Sequence, residues 1–197
     1  MTPRPLIVGL GGTTRAGSSA EKALLTVLGR AAELGCDTLA FGADAMPEEM
    51  FDPNRTERSE RARALVDALR RADGIVIVTP AYHGGISGLI KNALDFAEDL
   101  RTDTRVYFEG RAVGCVVCAE GPQAIGATIA SLRAVVHSLR GWPTPYAAAI
   151  NTRNKPFGSE GQPADPTAIE ACHTVAHEVV QFARLARATQ TAPHDAR

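Results

Sequence analysis

The feature that most constrains the fold is the regular alternation of short apolar runs with longer segments of helical periodicity. The apolar runs are rich in Val, Ile, Leu and Ala, and they predict five strands, at residues 6–11, 36–42, 74–80, 112–119 and 144–151. Most of them are almost continuously apolar, which is typical of strands covered on both faces. The chain therefore favours a parallel sheet between two layers of helices.

The segments between and after these runs have the 3.6-residue period of amphipathic helices. In residues 19–35, the apolar positions fall on one helix face, which carries Ala20, Leu24, Val27, Leu28 and Ala31. The same period predicts four further helices, at residues 59–74, 87–100, 124–141 and 165–189. Ser59 is a good N-cap for the second of the five helices.

Five strands that alternate with five helices predict an α/β fold, a three-layer, doubly wound, five-stranded parallel sheet with right-handed crossovers. The length fits one domain, which we assign to residues 1–189, and the tail at residues 190–197 is predicted to be disordered. Such a sheet binds its ligand outside the carboxyl ends of the strands, where the strand order reverses. We therefore expect functional residues in the loops after the first, third and fourth predicted strands.

The composition is that of an ordinary globular protein, with 45% hydrophobic and 22% charged residues. The net charge of −1 gives no reason to expect nucleic acid or a membrane surface as a partner. No apolar run approaches the roughly 20 residues that span a bilayer. Since the first residues also lack the pattern of a signal peptide, we predict a cytoplasmic protein.

Two of the four cysteines, Cys115 and Cys118, form a C-x-x-C pattern that is common in redox and zinc sites. Here the pattern lies inside a predicted buried strand, where an offset of three residues puts the two side chains on opposite faces of the sheet. We therefore predict that they pack in the core and form neither a disulfide nor a metal site.

The first predicted strand leads into the segment GLGGTTRAGSS, which is typical of a loop that binds an anion. A dinucleotide-binding fingerprint fails at Thr14, because its third position needs Gly or Ala for close packing. A triphosphate-binding loop fails at Ser18, where its lysine would stand. A loop for a single phosphate remains, and a polar turn that only caps a helix is the alternative.

The donors for such a phosphate are the hydroxyl groups of Thr13, Ser18 and Ser19 and the guanidinium of Arg15. The backbone amides at the start of the following helix point to the same place, with the positive end of the helix dipole behind them.

A second candidate segment, TPAYHGGISGLIKNALDF, follows the third predicted strand at residues 79–96. Its glycines allow a flat ring to approach the main chain, with Tyr82 and His83 beside the ring. The alternative is a glycine-rich turn that only opens a helix capped by Ser87.

Together the two segments resemble the NAD(P)H-dependent FMN reductases, whose first loop has the pattern G-S-x-R-x-x-S. Here it is Gly12, Thr13, Arg15 and Ser18 at the matching spacing. The family's second pattern, P-x-Y-x-x-[ST]-x-P-G-x-L-K-N-A-x-D, is matched by Pro80, Tyr82, Gly88, Lys91, Asn92, Ala93 and Asp95. The resemblance covers about residues 5–150.

The resemblance implies a flavodoxin-like fold with strand order 2-1-3-4-5, an FMN cofactor, and NADPH or NADH as co-substrate. It implies that the first loop holds the FMN phosphate, while the second segment and the loop after the fourth strand border the ring. The implied cofactor-binding residues are Thr13, Arg15, Gly17, Ser18, Ser19, Pro80, Ala81, Tyr82, His83, Gly84, Ala119, Glu120 and Gly121. No catalytic side chain is implied, because FMN carries the hydride chemistry.

Several positions depart from the family pattern. Thr13 replaces Ser but keeps the hydroxyl, and Ser87 and Ile90 stand where the family usually has Pro and Leu. Gly84 and Gly85 imply a more flexible ring-binding turn, and Ala20 stands where many members have Asn. Some members that release their flavin carry an inserted Tyr in the fourth helix; residues 124–141 have none, which favours tightly held FMN.

The electron acceptor is left open by these patterns. The alternatives are a free flavin, a quinone, an azo dye and a metal ion. A free flavin, once reduced, would serve a partner monooxygenase. The family resemblance implies a homodimer or homotetramer. Two alternative functions are a flavodoxin-like electron carrier without a nicotinamide site, which Arg15 and the near-neutral charge disfavour, and a flavodoxin-like binding module without catalysis.

Two further groups of polar residues have structural explanations. His173 and His177 have the spacing of metal ligands on one helix face, but no third ligand is apparent. Lys91, Asn92 and Asp95 are expected to fix the start of their helix and its contacts with its neighbours.

Overall fold

A five-stranded parallel sheet forms the centre of the chain in a computed structural model that describes residues 3–153, 155–158 and 164–191. Its spatial order is β2-β1-β3-β5-β6, and the strands are β1 (Leu6–Gly11), β2 (Asp37–Phe41), β3 (Gly74–Tyr82), β5 (Ala112–Ala119) and β6 (Trp142–Asn151). A two-residue strand, β4 (Gly85–Ile86), pairs antiparallel with the end of β3. Apart from this addition the order is the predicted 2-1-3-4-5, and the fold class is confirmed.

Three strands differ from the prediction in length, and β2 is one residue shorter at each end than the predicted 36–42. β3 continues past residue 80 to Tyr82, because its end pairs with β4; a two-residue strand is too short to leave an alternating pattern in the sequence. β6 begins at Trp142 and not at residue 144, although Pro143 and Pro145 follow. Proline is tolerated here because β6 is an edge strand with a register shift at this point.

The helices are α1 (Ser19–Glu33), α2 (Glu60–Arg71), α3 (Gly88–Asp95), α4 (Pro122–Ser138) and α5 (Pro166–Thr191), with short 3₁₀ turns at Ala43–Ala45 and Phe96–Leu100. Ser18, Ser59 and Ser87 cap α1, α2 and α3, each accepting a backbone N–H from three residues further on. Helix α5 runs to Thr191, two residues into the segment predicted as a tail, and residues 192–197 lie outside the described part of the chain.

The sheet separates two apolar cores. Helices α2, α3 and α4 pack on one face, and α1 and α5 pack on the other. Cys115 belongs to the first core and Cys118 to the second, as the strand offset predicts. Burial raises the pKa of both thiols to about 12, so neither disulfide exchange nor metal binding is favoured at these positions.

Among the described residues, no helix has both the length and the apolar character needed to cross a bilayer.

Candidate functional site

Three loops meet at the carboxyl ends of neighbouring strands. The first loop (residues 12–18) follows β1, the hairpin (residues 82–85) joins β3 to β4, and the third loop (residues 119–121) begins at the end of β5. Because β1, β3 and β5 are adjacent in the sheet, these segments come together at one edge. They enclose a cavity of about 370 Å³, which we call the edge cavity.

The edge cavity collects most of the residues that the sequence pointed to. Its lining includes Thr13, Arg15, Ser18, Ser19, Pro80, Ala81, Tyr82, Ala119 and Glu120. Gly17 lines a neighbouring cavity, and the other three candidates lie outside the edge-cavity lining: His83 and Gly84 at the tip of the hairpin, and Gly121 at the N-cap of α4.

Four residues of the lining were missed by the sequence analysis, namely Thr14, Ala20, Cys118 and Thr152. Thr14 and Ala20 are chain neighbours of predicted residues. Thr152 follows β6 and its N–H donates to the carbonyl of Ala119 at 2.9 Å, so the loop after the last strand joins the site. Only the strand order could have revealed Thr152: β6 lies beside β5, so the end of β6 reaches the same edge of the sheet.

Close packing at Gly12 fixes the first loop against the start of α3. The Gly12 N–H donates to the carbonyl of Val78 at 2.8 Å. A Cβ at Gly12 would lie 2.7 Å from Cγ1 of Ile90 and 2.8 Å from Oγ of Ser87, so only glycine allows this approach. The contact ties the first loop to the helix that follows the hairpin.

The N-terminus of α1 supplies the anion-binding groups. Ser18 is the N-cap, and the free amides of the first turn face the same edge as the Arg15 guanidinium. Within the described part of the chain, Arg15 has no carboxylate partner. This leaves a positive charge available to an anionic ligand.

One acidic residue, Glu21, occupies a backbone amide of the first loop that an anionic ligand could otherwise use. Its Oε2 accepts the N–H of Gly17, while its own N–H donates to Oγ of Ser18 at 3.2 Å. This is a variant of the capping box, in which Ser at the N-cap and Glu three residues later satisfy each other's end of the helix. The S-x-x-E pattern is visible in the sequence and could have revealed Glu21.

The hairpin has a defined turn. Its two central residues, His83 and Gly84, have φ angles of 53° and 79°, and positive φ at both positions is the requirement of a type I′ turn. Gly84 supplies the second left-handed residue of this turn, and Gly85 pairs with Tyr82.

The base of the hairpin is fixed by Thr79, which is fully buried. Its hydroxyl donates to the carbonyl of Pro80 at 2.9 Å and accepts the N–H of Ser87 at 3.0 Å. The hairpin is thus tied to the first residue before α3. Tyr82 remains 59% exposed at the rim of the edge cavity.

These residues fit an FMN molecule in chemical terms. One end of the cavity offers a guanidinium, hydroxyl groups and helix amides, which suit a phosphate. The other end offers Tyr82, Pro80 and main-chain groups of the third loop, which suit a flat ring with polar edges. The volume lies within the range of about 300–1,000 Å³ that is usual for small-molecule sites.

The other polar candidates have structural partners. Lys91 pairs with Asp95 at 2.7 Å, and the side chain of Asn92 accepts the N–H of Phe51 and donates to the carbonyl of Glu49. His177 lies 3.0 Å from the guanidinium of Arg30. In the part of the chain that the structure describes, no group of three or more His, Cys, Asp or Glu residues could hold a metal ion.

Comparison with known proteins gives three kinds of similarity. Residues 5–155 match the family model described as NADPH-dependent FMN reductase. An FMN-dependent NADPH-azoreductase of Staphylococcus aureus is 33% identical over 99 residues, which are 50% of this chain and 49% of the relative. The chain thus spans about half the length of the curated relatives it matches.

Two solved structures share the fold at low sequence identity. A flavoenzyme NAD(P)H:(acceptor) oxidoreductase from Paracoccus denitrificans has a TM-score of 0.72 and 21% identity, over 92% of this chain and 98% of that one. An oxidoreductase from Corynebacterium diphtheriae has a TM-score of 0.71 and 16% identity, over 93% and 99% of the two chains.

Proposed function

The chain belongs to the NADPH-dependent FMN reductase family, and from this membership we propose that it is an FMN-dependent NAD(P)H oxidoreductase. It passes a hydride from a nicotinamide to FMN and the reducing equivalents on to a second acceptor. The family confirms the resemblance found in the sequence, the oxidoreductase class and, at the level of the family, FMN and NAD(P)H as the cofactors.

The observation that carries the proposal is the convergence of the three loops on the edge cavity, with Arg15 unpaired among the described residues. Arg15, Thr13 and Ser18 would hold the FMN phosphate, and the residues from Pro80 to Tyr82 with Ala119 would border the ring. When bound, FMN accepts a hydride from the reduced nicotinamide and keeps the electrons for the acceptor. The chain's own residues bind, orient and partly shield it.

We propose a small-molecule acceptor such as a free flavin or a quinone, or delivery of reduced flavin to a partner monooxygenase. The exposed ring of Tyr82 at the rim supports this, since a cavity open to solvent lets a nicotinamide and an acceptor visit in turn. A turnover assay with NADPH and each acceptor class distinguishes them; failure of every free acceptor favours the partner enzyme.

An absorption spectrum of the purified protein, with and without added FMN, tests the cofactor. Flavin bands, or their shift on titration, are expected. Anaerobic bleaching by NADPH or NADH then separates a reductase from an electron carrier. A protein that takes up no FMN contradicts the proposal, and one that binds FMN without bleaching is the carrier.

The phosphate end of the site is tested by Arg15→Ala. We expect weaker FMN binding by about 1.5–3 kcal/mol, the value of a hydrogen bond to a charged group. Riboflavin, which has no phosphate, is the control, and its affinity should stay unchanged. Calorimetric titration gives both values; an unaltered FMN affinity would place the phosphate elsewhere.

We also propose a homodimer or homotetramer in the cytoplasm. Support for association comes from an exposed apolar cluster of Trp142, Phe182 and Leu185. The ring centroids of Trp142 and Phe182 lie 6.0 Å apart, and Trp142 and Leu185 are 61% and 60% exposed. Light scattering on the full chain should give a multiple of 20.8 kDa; a monomer would contradict the assembly.

A further inference from the structure

A second cavity of about 280 Å³ lies beside the first loop, and we call it the lysine cavity. It is lined by Arg15, Gly17, Ser18 and Ser19 of the first loop and the start of α1, by Lys22 of α1, and by Lys155, Phe157 and Gly158 after β6. Arg15, Ser18 and Ser19 line the edge cavity as well. The two cavities therefore meet at the residues proposed to hold the FMN phosphate.

The segment that carries Lys155 is fastened to α1. The Nζ of Lys22 donates to the carbonyl of Gly158 at 3.0 Å, and Phe157 is a partly buried contact of the core between α1 and α5. A turn closes between them, in which the Gly158 N–H donates to the carbonyl of Lys155 at 2.9 Å. Lys155 itself has a φ of 49°, a conformation that a side-chain-bearing residue adopts at some cost.

The charges of the lysine cavity are of one sign. Arg15, Lys22 and Lys155 line it, and among the residues that the structure describes no carboxylate does. Within residues 3–153, 155–158 and 164–191, none of these three cations forms an ion pair. Like charges gathered around one cavity repel each other, and an anion relieves that repulsion.

The flavin phosphate does not use all of this charge. Arg15 and the N-terminus of α1 together match a phosphate monoester, which leaves the ammonium groups of Lys22 and Lys155 for a further anionic group. A ligand with a second phosphate next to the first would engage them. Arg15, Ser18 and Ser19 line both cavities, so the two lie next to each other, as the two bonded phosphates of a pyrophosphate require.

We propose that the lysine cavity binds a second phosphate group, and that the flavins this site accepts include a dinucleotide such as FAD. The inference rests on the proposed function, since it places the flavin phosphate at the first loop. A 2′-phosphate of NADPH is the other source of the same chemistry, and the experiment below separates the two.

The variant for the test is Lys155→Asn, because Asn removes the charge and tolerates a positive φ. Arg153→Asn is the matched control: it removes the same charge from the same exposed loop, and Arg153 is not part of the lining. The full chain, freed of flavin, is titrated calorimetrically with FMN, FAD and 2′,5′-ADP.

Lys155→Asn is expected to raise the Kd for FAD about tenfold, the loss of one charge-assisted contact, and to leave the Kd for FMN within about twofold. Arg153→Asn should change neither. If FAD is unaffected while 2′,5′-ADP binds about tenfold more weakly and the KM for NADPH rises relative to NADH, the second phosphate is that of the nicotinamide.

The inference is overturned if Lys155→Asn leaves all these ligands unchanged, or if it weakens FMN and FAD by the same factor. In both cases the wild type still binds FMN, so the proposed function stands. A wild type that binds neither flavin contradicts the proposed function and this inference together.

Discussion

The carboxylate of Glu21 governs how the first loop receives a phosphate. It accepts the Gly17 N–H, one of the amides that an anion would otherwise use. Together with Asp44 it also lines a cavity of about 190 Å³, which shares Thr13 and Arg15 with the edge cavity. A phosphate at the first loop would therefore lie near this negative charge, and Arg15 lines both cavities.

Replacing Glu21 by Gln should strengthen FMN binding by about 1 kcal/mol, since it removes a like charge near the phosphate and Gln keeps the capping role. Calorimetric Kd values for FMN measure the effect. Riboflavin serves as control and should bind equally to both proteins. Weaker FMN binding by Glu21→Gln would mean that the carboxylate orders the loop more than it repels the ligand.

At this scale the sequence predicted the residues that lie next to one another in the chain. Arg15 and Ser18 do line the edge cavity, because the spacing of a βα turn leaves few places for them. Thr152 escaped prediction because its place depends on which strand neighbours β5. The engagement of Gly17 by Glu21 depends on one rotamer, which no residue pattern determines.

Among the elements, the segment between β2 and α2 is held mainly by Arg58. Its guanidinium donates two hydrogen bonds to the carboxylate of Asp99, both at 2.8 Å, and lies 4.9 Å from the ring centroid of Phe51 and 5.5 Å from that of Phe96. The bonds to Asp99 raise the pKa of Arg58, so its guanidinium stays charged at all ordinary pH values. The contact joins this segment to the 3₁₀ turn after α3.

The substitution Arg58→Lys should lower the free energy of unfolding by about 1–2 kcal/mol, because an ammonium cannot make the forked bond or stack on both rings. Urea unfolding measures it. Arg61→Lys is the matched control: its pair with Glu48 is more exposed, and the change should stay within about 0.5 kcal/mol. Equal effects of the two substitutions would contradict a special role for Arg58.

The elements were predictable where their patterns are long. The five parallel strands and the helices, including the caps Ser59 and Ser87, follow from apolar runs and periodicity. The hairpin between β3 and β4 was missed because two residues cannot show alternation, and its turn has His83 where Asn or Asp is the usual signal.

Across the whole molecule, the sheet divides the thiols between its two cores, and all four are buried, although Cys118 also borders the edge cavity. Cys36, Cys118 and Cys172 belong to the core of α1 and α5, and Cys115 to the opposite core. Burial raises the pKa of all four, to about 12 for Cys115, Cys118 and Cys172. Since a raised pKa keeps a thiol protonated, the reactive thiolate is scarce at neutral pH and increases only in strong base.

Hydrogen peroxide should therefore leave the cysteines of the folded chain intact and add oxygen at Met50, which is 76% exposed. Met46, 1% exposed, is the internal control and should remain unmodified until the protein unfolds. Peptide mass spectrometry after a brief treatment gives the answer. Oxidised cysteine in folded protein would contradict the burial of the thiols.

The burial of the thiols in two apolar cores bears on how well such an enzyme would resist oxidation during turnover. Reduced flavins react with dioxygen and yield hydrogen peroxide, so the proposed activity would expose the chain to an oxidant of its own making. All four cysteines are free and buried, and burial raises their pKa values, so they react slowly with that oxidant. The fold would thus protect the thiols from oxidation while the protein works in air.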